Sequence, residues 1–149
     1  MTVSATTPYV AYAGAGTSGP FAIPFRFLTD ADLVISKIDA EGVETVLTGN
    51  TITGADDPDG GEMNTAAPVA TGETLQIYRD TVRTQTAQYV ANGPFPAATH
   101  ERALDKSMLA IQEQDRDIAR TLRVPLGESG GELSGTGFVA LAPSGPYIA

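Results

Sequence analysis

The 149-residue sequence predicts a mainly β chain: a small antiparallel β sandwich or barrel, then one long α-helix, then an extended C-terminal tail. Three observations carry this expectation. Short apolar runs recur at roughly ten-residue spacing, separated by Gly, Pro and Asp turns, as in small all-β domains. One long helical periodicity follows them, from Thr99 to Val124. Beyond Pro125 the composition turns to Gly, Ser and Pro with scattered apolar residues. The expected divisions are residues 1–95 for the β domain, 96–125 for the helix and 126–149 for the tail.

Residues 9–12 suit a short opening strand, and 14–20 a flexible glycine turn. The glycine run has neither the Gly-Lys-Ser/Thr ending nor the following helix of a phosphate loop. Phe21, Ile23, Phe25 and Phe27 alternate onto one face, the pattern of a half-buried strand running to Leu28. Pro24 has no ladder donor, which assigns that strand to a sheet edge. Residues 33–39 and 43–48 make a hairpin around Asp39-Ala40-Glu41-Gly42. Short strands at 51–53 and 62–65 follow, and 74–79 alternates most clearly of all. Between Gly54 and Glu62, four acids among glycines resemble the oxygen-rich composition of a calcium loop. Their spacing does not fit the alternating ligands of an EF-hand, so the expectation is an exposed acidic turn.

In the helix, Leu104, Met108, Ile111, Ile118 and Leu122 are spaced by fours and threes, with Asp115 filling the gap. That spacing is a heptad seam. Pro94 and Pro96 disfavour an earlier start, Thr99 offers its hydroxyl as an N-cap, and Pro125 ends the run. At ~1.5 Å per residue the helix would be about 38 Å long. The seam has two readings: an amphipathic helix packed by its apolar side on its own sheet, or a short coiled coil between identical chains. About two and a half heptads leave both open.

Composition narrows the function. Up to Ala98 there are eleven acids against Arg26, Lys37, Arg79 and Arg83, a net of −7, whereas the helix is neutral with both signs interleaved. An acidic chain of this kind argues against nucleic acid as a partner, because phosphate contacts need clustered Lys and Arg. The neutral helix suits a face that meets protein. There is no cysteine, and no apolar run approaches the ~20 residues of a membrane span. Residues 1–5 lack the charged start and apolar stretch of a signal peptide, so the expectation is a soluble protein made in a cytoplasm, without membrane insertion. The single histidine, His100, has Glu101 beside it, but neighbouring helical residues do not face each other. No nucleophile–base pair or metal-ligand spacing emerges, so the expectation is a non-enzyme with no cofactor and no metal. A carbohydrate-binding module using Tyr9, Tyr12 or Tyr89 is the alternative. The tail carries Leu133, Phe138, Val139, Leu141, Tyr147 and Ile148 in a setting too broken for its own core. Phe138, Val139, Leu141, Tyr147 and Ile148 are therefore expected to dock on a partner surface.

Phe25-Arg26-Phe27-Leu28 with Asp32-Leu33-Val34, then Gly72-Glu73-Thr74-Leu75-Gln76-Ile77-Tyr78-Arg79-Asp80, then Gly93-Pro94-Phe95-Pro96-Ala97-Ala98-Thr99-His100-Glu101-Arg102 form an ordered set. In order and spacing the set resembles the N-terminal virion-attachment domain of phage tail fibres, in the T7-like family of short-tailed phages. The proline-framed Phe95 followed by Thr99-His100-Glu101 is its most specific part. The resemblance implies a structural virion protein whose β domain holds the tail tube, nozzle or an adaptor protein, and whose helix leads toward a shaft in a homotrimer. Phe25, Phe27, Leu33, Leu75 and Ile77 would then be core. Leu104, Met108, Ile111, Asp115, Ile118 and Leu122 would line a three-chain seam, with Asp115 setting register at some cost in stability. Family members continue into a long shaft and a receptor-binding tip, whereas this sequence runs only 24 residues past Pro125. That difference leads to the expectation of a tail adaptor, whose C-terminal segment captures a separate fibre or spike.

Overall fold

The computed structural model describes residues 7–85, 87, 88, 93 and 95–120. Seven strands form two antiparallel sheets, and one helix follows. The strands are β1 (Tyr9–Ala13), β2 (Phe21–Ile23), β3 (Leu33–Ile38), β4 (Glu44–Val46), β5 (Thr51–Thr53), β6 (Gly61–Asn64) and β7 (Thr74–Arg79). The helix α1 is Ala97–Ala119. One sheet has the order β1-β7-β3-β4 and the other β2-β6-β5, so the first and last strands of the β region are neighbours.

Alternation sets the inward faces. Leu75 and Ile77 of β7 lie beside Leu33 and Ile35 of β3, with Ile35 directly opposite Ile77. Ile23 and Met63 come from the second sheet, and Phe25, Phe27 and Val69 from the connections, to complete one buried cluster. The five core positions implied by the resemblance all belong to it. The hairpin between β3 and β4 turns at Asp39, whose Oδ1 accepts from the backbone N–H groups of Glu41 and Val43. Gly42 supplies the positive φ of 85° that the turn requires.

Three local expectations change. The aromatic strand stops at Ile23, and residues 24–28 run as irregular chain that buries Arg26 and Leu28 along with Phe25 and Phe27. A strand cannot bury successive side chains in one core, so leaving the ladder is what allows all four inward. Up to that point β2 is an edge strand, paired with β6 alone. The glycine turn is tied down rather than free: Gly14 N–H donates to Glu73 O, Gly16 N–H to Val69 O and Val69 N–H to Thr17 O. A Cβ on Gly14 would stand 1.9 Å from Ala70 O, so only glycine permits this approach. Finally, the helix begins at Ala97 with Pro96 in the N-cap position, so Thr99 lies inside the first turn and caps nothing. Pro96 gives no side-chain cap, and its carbonyl accepts from His100 N–H. The expected continuation from 121 to Val124 lies outside the described residues, as does the whole tail. Among the described residues no helix is long and apolar enough to cross a membrane.

Candidate functional site

The helix α1 lies against the β domain with its charged side inward. Of its described side chains, Asp105, Leu109 and Glu113 are the buried ones, at a stride of four that keeps them on one stripe. Leu104, Met108, Ile111 and Ile118 remain 56%, 50%, 48% and 46% exposed, and Asp115 is exposed among them. The own-sheet reading of the apolar seam is thereby overturned: the helix packs on its sheet through its other side. Leu122 and the five expected docking residues, Phe138, Val139, Leu141, Tyr147 and Ile148, lie outside the described residues.

Arg79 makes the centre of this joint. It is the last residue of β7 and falls on the inward phase after Leu75 and Ile77, with no solvent exposure. Its Nε donates to Glu113 Oε1 at 2.7 Å, and one terminal nitrogen donates to Leu109 O at 3.1 Å and Gln112 Oε1 at 3.0 Å. The other donates to Arg26 O, and the guanidinium carbon lies 6.0 Å from the Phe25 ring centroid. Glu113, equally buried, also accepts from the Thr81 hydroxyl at 2.6 Å and from Thr81 N–H at 3.0 Å. Burial pushes the Arg79 guanidinium below its ordinary value against the pull of Glu113. A guanidinium nonetheless stays charged at neutral pH.

Three further ionic contacts flank the Arg79–Glu113 pair. Arg26 donates to Asp105 Oδ2 at 2.8 Å and to Asp56 Oδ1 at 2.7 Å, and Arg102 of the helix closes on the other Asp56 oxygen. At the far end Arg116 donates to Arg79 O at 2.7 Å and lies 5.2 Å from the Tyr78 ring centroid. Burial alone would raise the Asp56 carboxyl. The hydrogen bond from Arg26 and the charges of Arg102 and Arg26 outweigh it and hold that carboxyl below its ordinary value.

The acidic turn therefore has a structural role at one of its four acids. Asp56 sits at a positive φ of 66° and spends its carboxylate on two arginines. A depressed carboxylate pKa contributes stability above the ordinary value of about 3.9 and loses it as pH falls toward the folded value. Asp56→Asn is expected to lower stability at neutral pH and to flatten the acid limb of the stability curve below about pH 4. Urea midpoints measured across pH check this, and parallel wild-type and variant curves would refute it.

His100 packs against Phe95 with ring centroids 5.1 Å apart and the planes tilted by 58°, so it braces the proline-framed entry. Of the candidate sugar platforms, Tyr12 is not free: its hydroxyl donates to Ala22 O and its ring packs on Phe21. Tyr9 lines a groove of about 560 Å³ with Tyr78, Glu44, Gln76 and Arg116, and Tyr89 lies outside the described residues. Among the described residues no group of three or more His, Asp or Glu gathers as a metal site. The charged groups of the joint are spent on one another, an arrangement suited to holding a helix in place.

Sequence reasoning missed this clamp, although its signals were legible. Arg79 continues the inward phase of the clearest strand, Arg26 interrupts an aromatic run, and Asp105 and Glu113 frame Leu109 at helical spacing.

With this geometry in view, one comparison bears on the class. The chain is similar to the tail spike protein of Salmonella phage epsilon15. The two are 33% identical over 128 residues, which is 84% of this chain and 12% of that protein. The match supports a phage tail protein family and a structural protein of the virion tail. The chain thus spans about an eighth of the relative's length. No protein-family model matches it.

Proposed function

We propose that this chain is a virion-attachment and adaptor module of a phage tail: its β domain docks on the tail tube, nozzle or an adaptor protein, and its helix joins three copies and leads toward a fibre or spike. The observation that supports this reading is the outward apolar seam. A helix that turns Leu104, Met108, Ile111 and Ile118 away from its own domain leaves them for another surface. Heptad spacing fits that surface to an identical helix. The likeness to a tail spike protein supports the setting, and the resemblance to tail-fibre attachment domains supports the direction of handover. The role proposed is structural rather than catalytic.

In solution the intact chain is expected to have three times its chain mass by light scattering, and Ile111→Asp to reduce this to one chain while the β spectrum is retained. A wild-type chain that stays monomeric at high concentration would remove the trimer from the proposal. The adaptor role is tested separately, by deleting 126–149 in virions. The expected result is loss of the downstream fibre or spike with the β domain still on the tail. Retention of every downstream component would rule out that role.

A further inference from the structure

We infer that Arg79 determines which face of α1 is presented to other proteins, by giving the β domain a receptor for the helix's polar side alone. The helix has two sides that could pack. At 3.6 residues per turn, the stripe of Leu104, Met108, Ile111 and Ile118 lies roughly 145° around the axis from the stripe of Asp105, Leu109 and Glu113. Burial of apolar area alone favours the first stripe, with four large apolar side chains against one. The structure shows the reverse, so the wall of the β domain discriminates.

Arg79 supplies that discrimination. It is rooted in a central strand, between β1 and β3 in the ladder, and has no route to water. Its donors require acceptors from whatever covers it. The polar stripe offers Glu113, Gln112 and the Leu109 carbonyl in one turn and a half. Leu, Met and Ile offer none, and covering Arg79 with them would leave a buried charge without its partner. The neighbours that face the same space are Phe25, Thr81 and the Arg26 carbonyl. None of these three carries a negative charge; the β domain's buried Asp32 acts on Arg79 through its charge, less strongly than Glu113, and spends Oδ2 on Thr29. Arg26 and Asp56 steer the helix start in the same sense through Asp105 and Arg102.

The asymmetry matters for testing. Removing the arginine takes the buried charge out of the wall, leaving the Phe25 ring beside the polar groups of Thr81 and the Arg26 carbonyl, and Glu113, being on the helix, can turn out into water. Arg79→Met is therefore expected to let α1 rotate and bury its seam against its own domain. Because the chain has no cysteine, Met108→Cys and Leu109→Cys are clean single reporters of the two sides. In the Arg79 background, Cys at 109 is expected to resist maleimide, whereas Cys at 108 links to a second copy on oxidation. In the Arg79→Met background the expected result is protection at 108, reactivity at 109, loss of the cross-link and a mass of one chain.

This inference rests on the proposed trimer only for the identity of the second copy. If the parent chain is monomeric, Cys at 108 reacts freely in it, and Arg79→Met still has to suppress that reaction. Unchanged reactivity at both positions overturns the inference whatever the mass. Should Arg79→Met fail to fold, Glu113→Lys tests the same point from the helix, with the β-domain sequence intact. It sets like charge against Arg79, and Cys at 109 must become reactive. Continued protection at 109 overturns the inference equally.

Discussion

Glu113→Ala is expected to destabilise the chain by about 3–5 kcal/mol, the range for breaking one partner out of a buried ion pair. The loss exceeds that of an ordinary surface bridge because Arg79 has no exposure and cannot follow its partner into solvent. Two further donors, Thr81 N–H and the Thr81 hydroxyl, lose the same acceptor. Truncation to alanine supplies no substitute for any of the three. Urea unfolding followed by far-UV circular dichroism measures the loss as a lower midpoint at unchanged slope. A change below about 1 kcal/mol, the scale of an exposed pair, would mean that the joint is open to water.

Phe25→Ala is expected to cost a similar amount, about 3–5 kcal/mol, for a different reason. The ring is buried in the main cluster and its removal leaves a cavity between the sheets. It also forms the surface over which the Arg79 guanidinium is held. The two losses should consequently fail to add: a double-mutant cycle of Phe25→Ala with Glu113→Ala is expected to give a coupling of about 0.5–3 kcal/mol. Strict additivity would separate the core from the joint and refute the coupling.

These residues also show what a sequence reader can and cannot obtain. β7 was legible because it alternates between one core face and one outer face, and β3 because it forms an apolar run closed by the Asp39–Gly42 turn. The seam of α1 was equally legible, since heptad spacing is a one-dimensional pattern. Which way that seam faces was not, because orientation depends on a partner 34 positions away, Arg79 against Glu113. The stretch 24–28 misled for a related reason: alternation at Phe25 and Phe27 looks like a strand until Arg26 and Leu28 are also found inside. The true helix start was obscured because threonine is the better cap by propensity, while the tilted ring contact of Phe95 with His100 belongs to an entry by way of proline.

The pairing of β1 with β7 has a consequence for the order of events in assembly. Tyr9 opposes Tyr78, so closing that edge joins positions roughly 70 residues apart, a non-local pairing of the kind that slows folding. The same edge carries the Pro8 carbonyl, which accepts from Arg79 N–H and from Arg116 of the helix. The sheet edge and the seat of the helix are thus completed by one closure. Until it occurs, Arg116 lacks one of its acceptors, while Arg79 and Arg26 hold the helix through Glu113 and Asp105. One edge thus serves both the sheet and the bearing of the helix, so the direction of the seam is set within each chain.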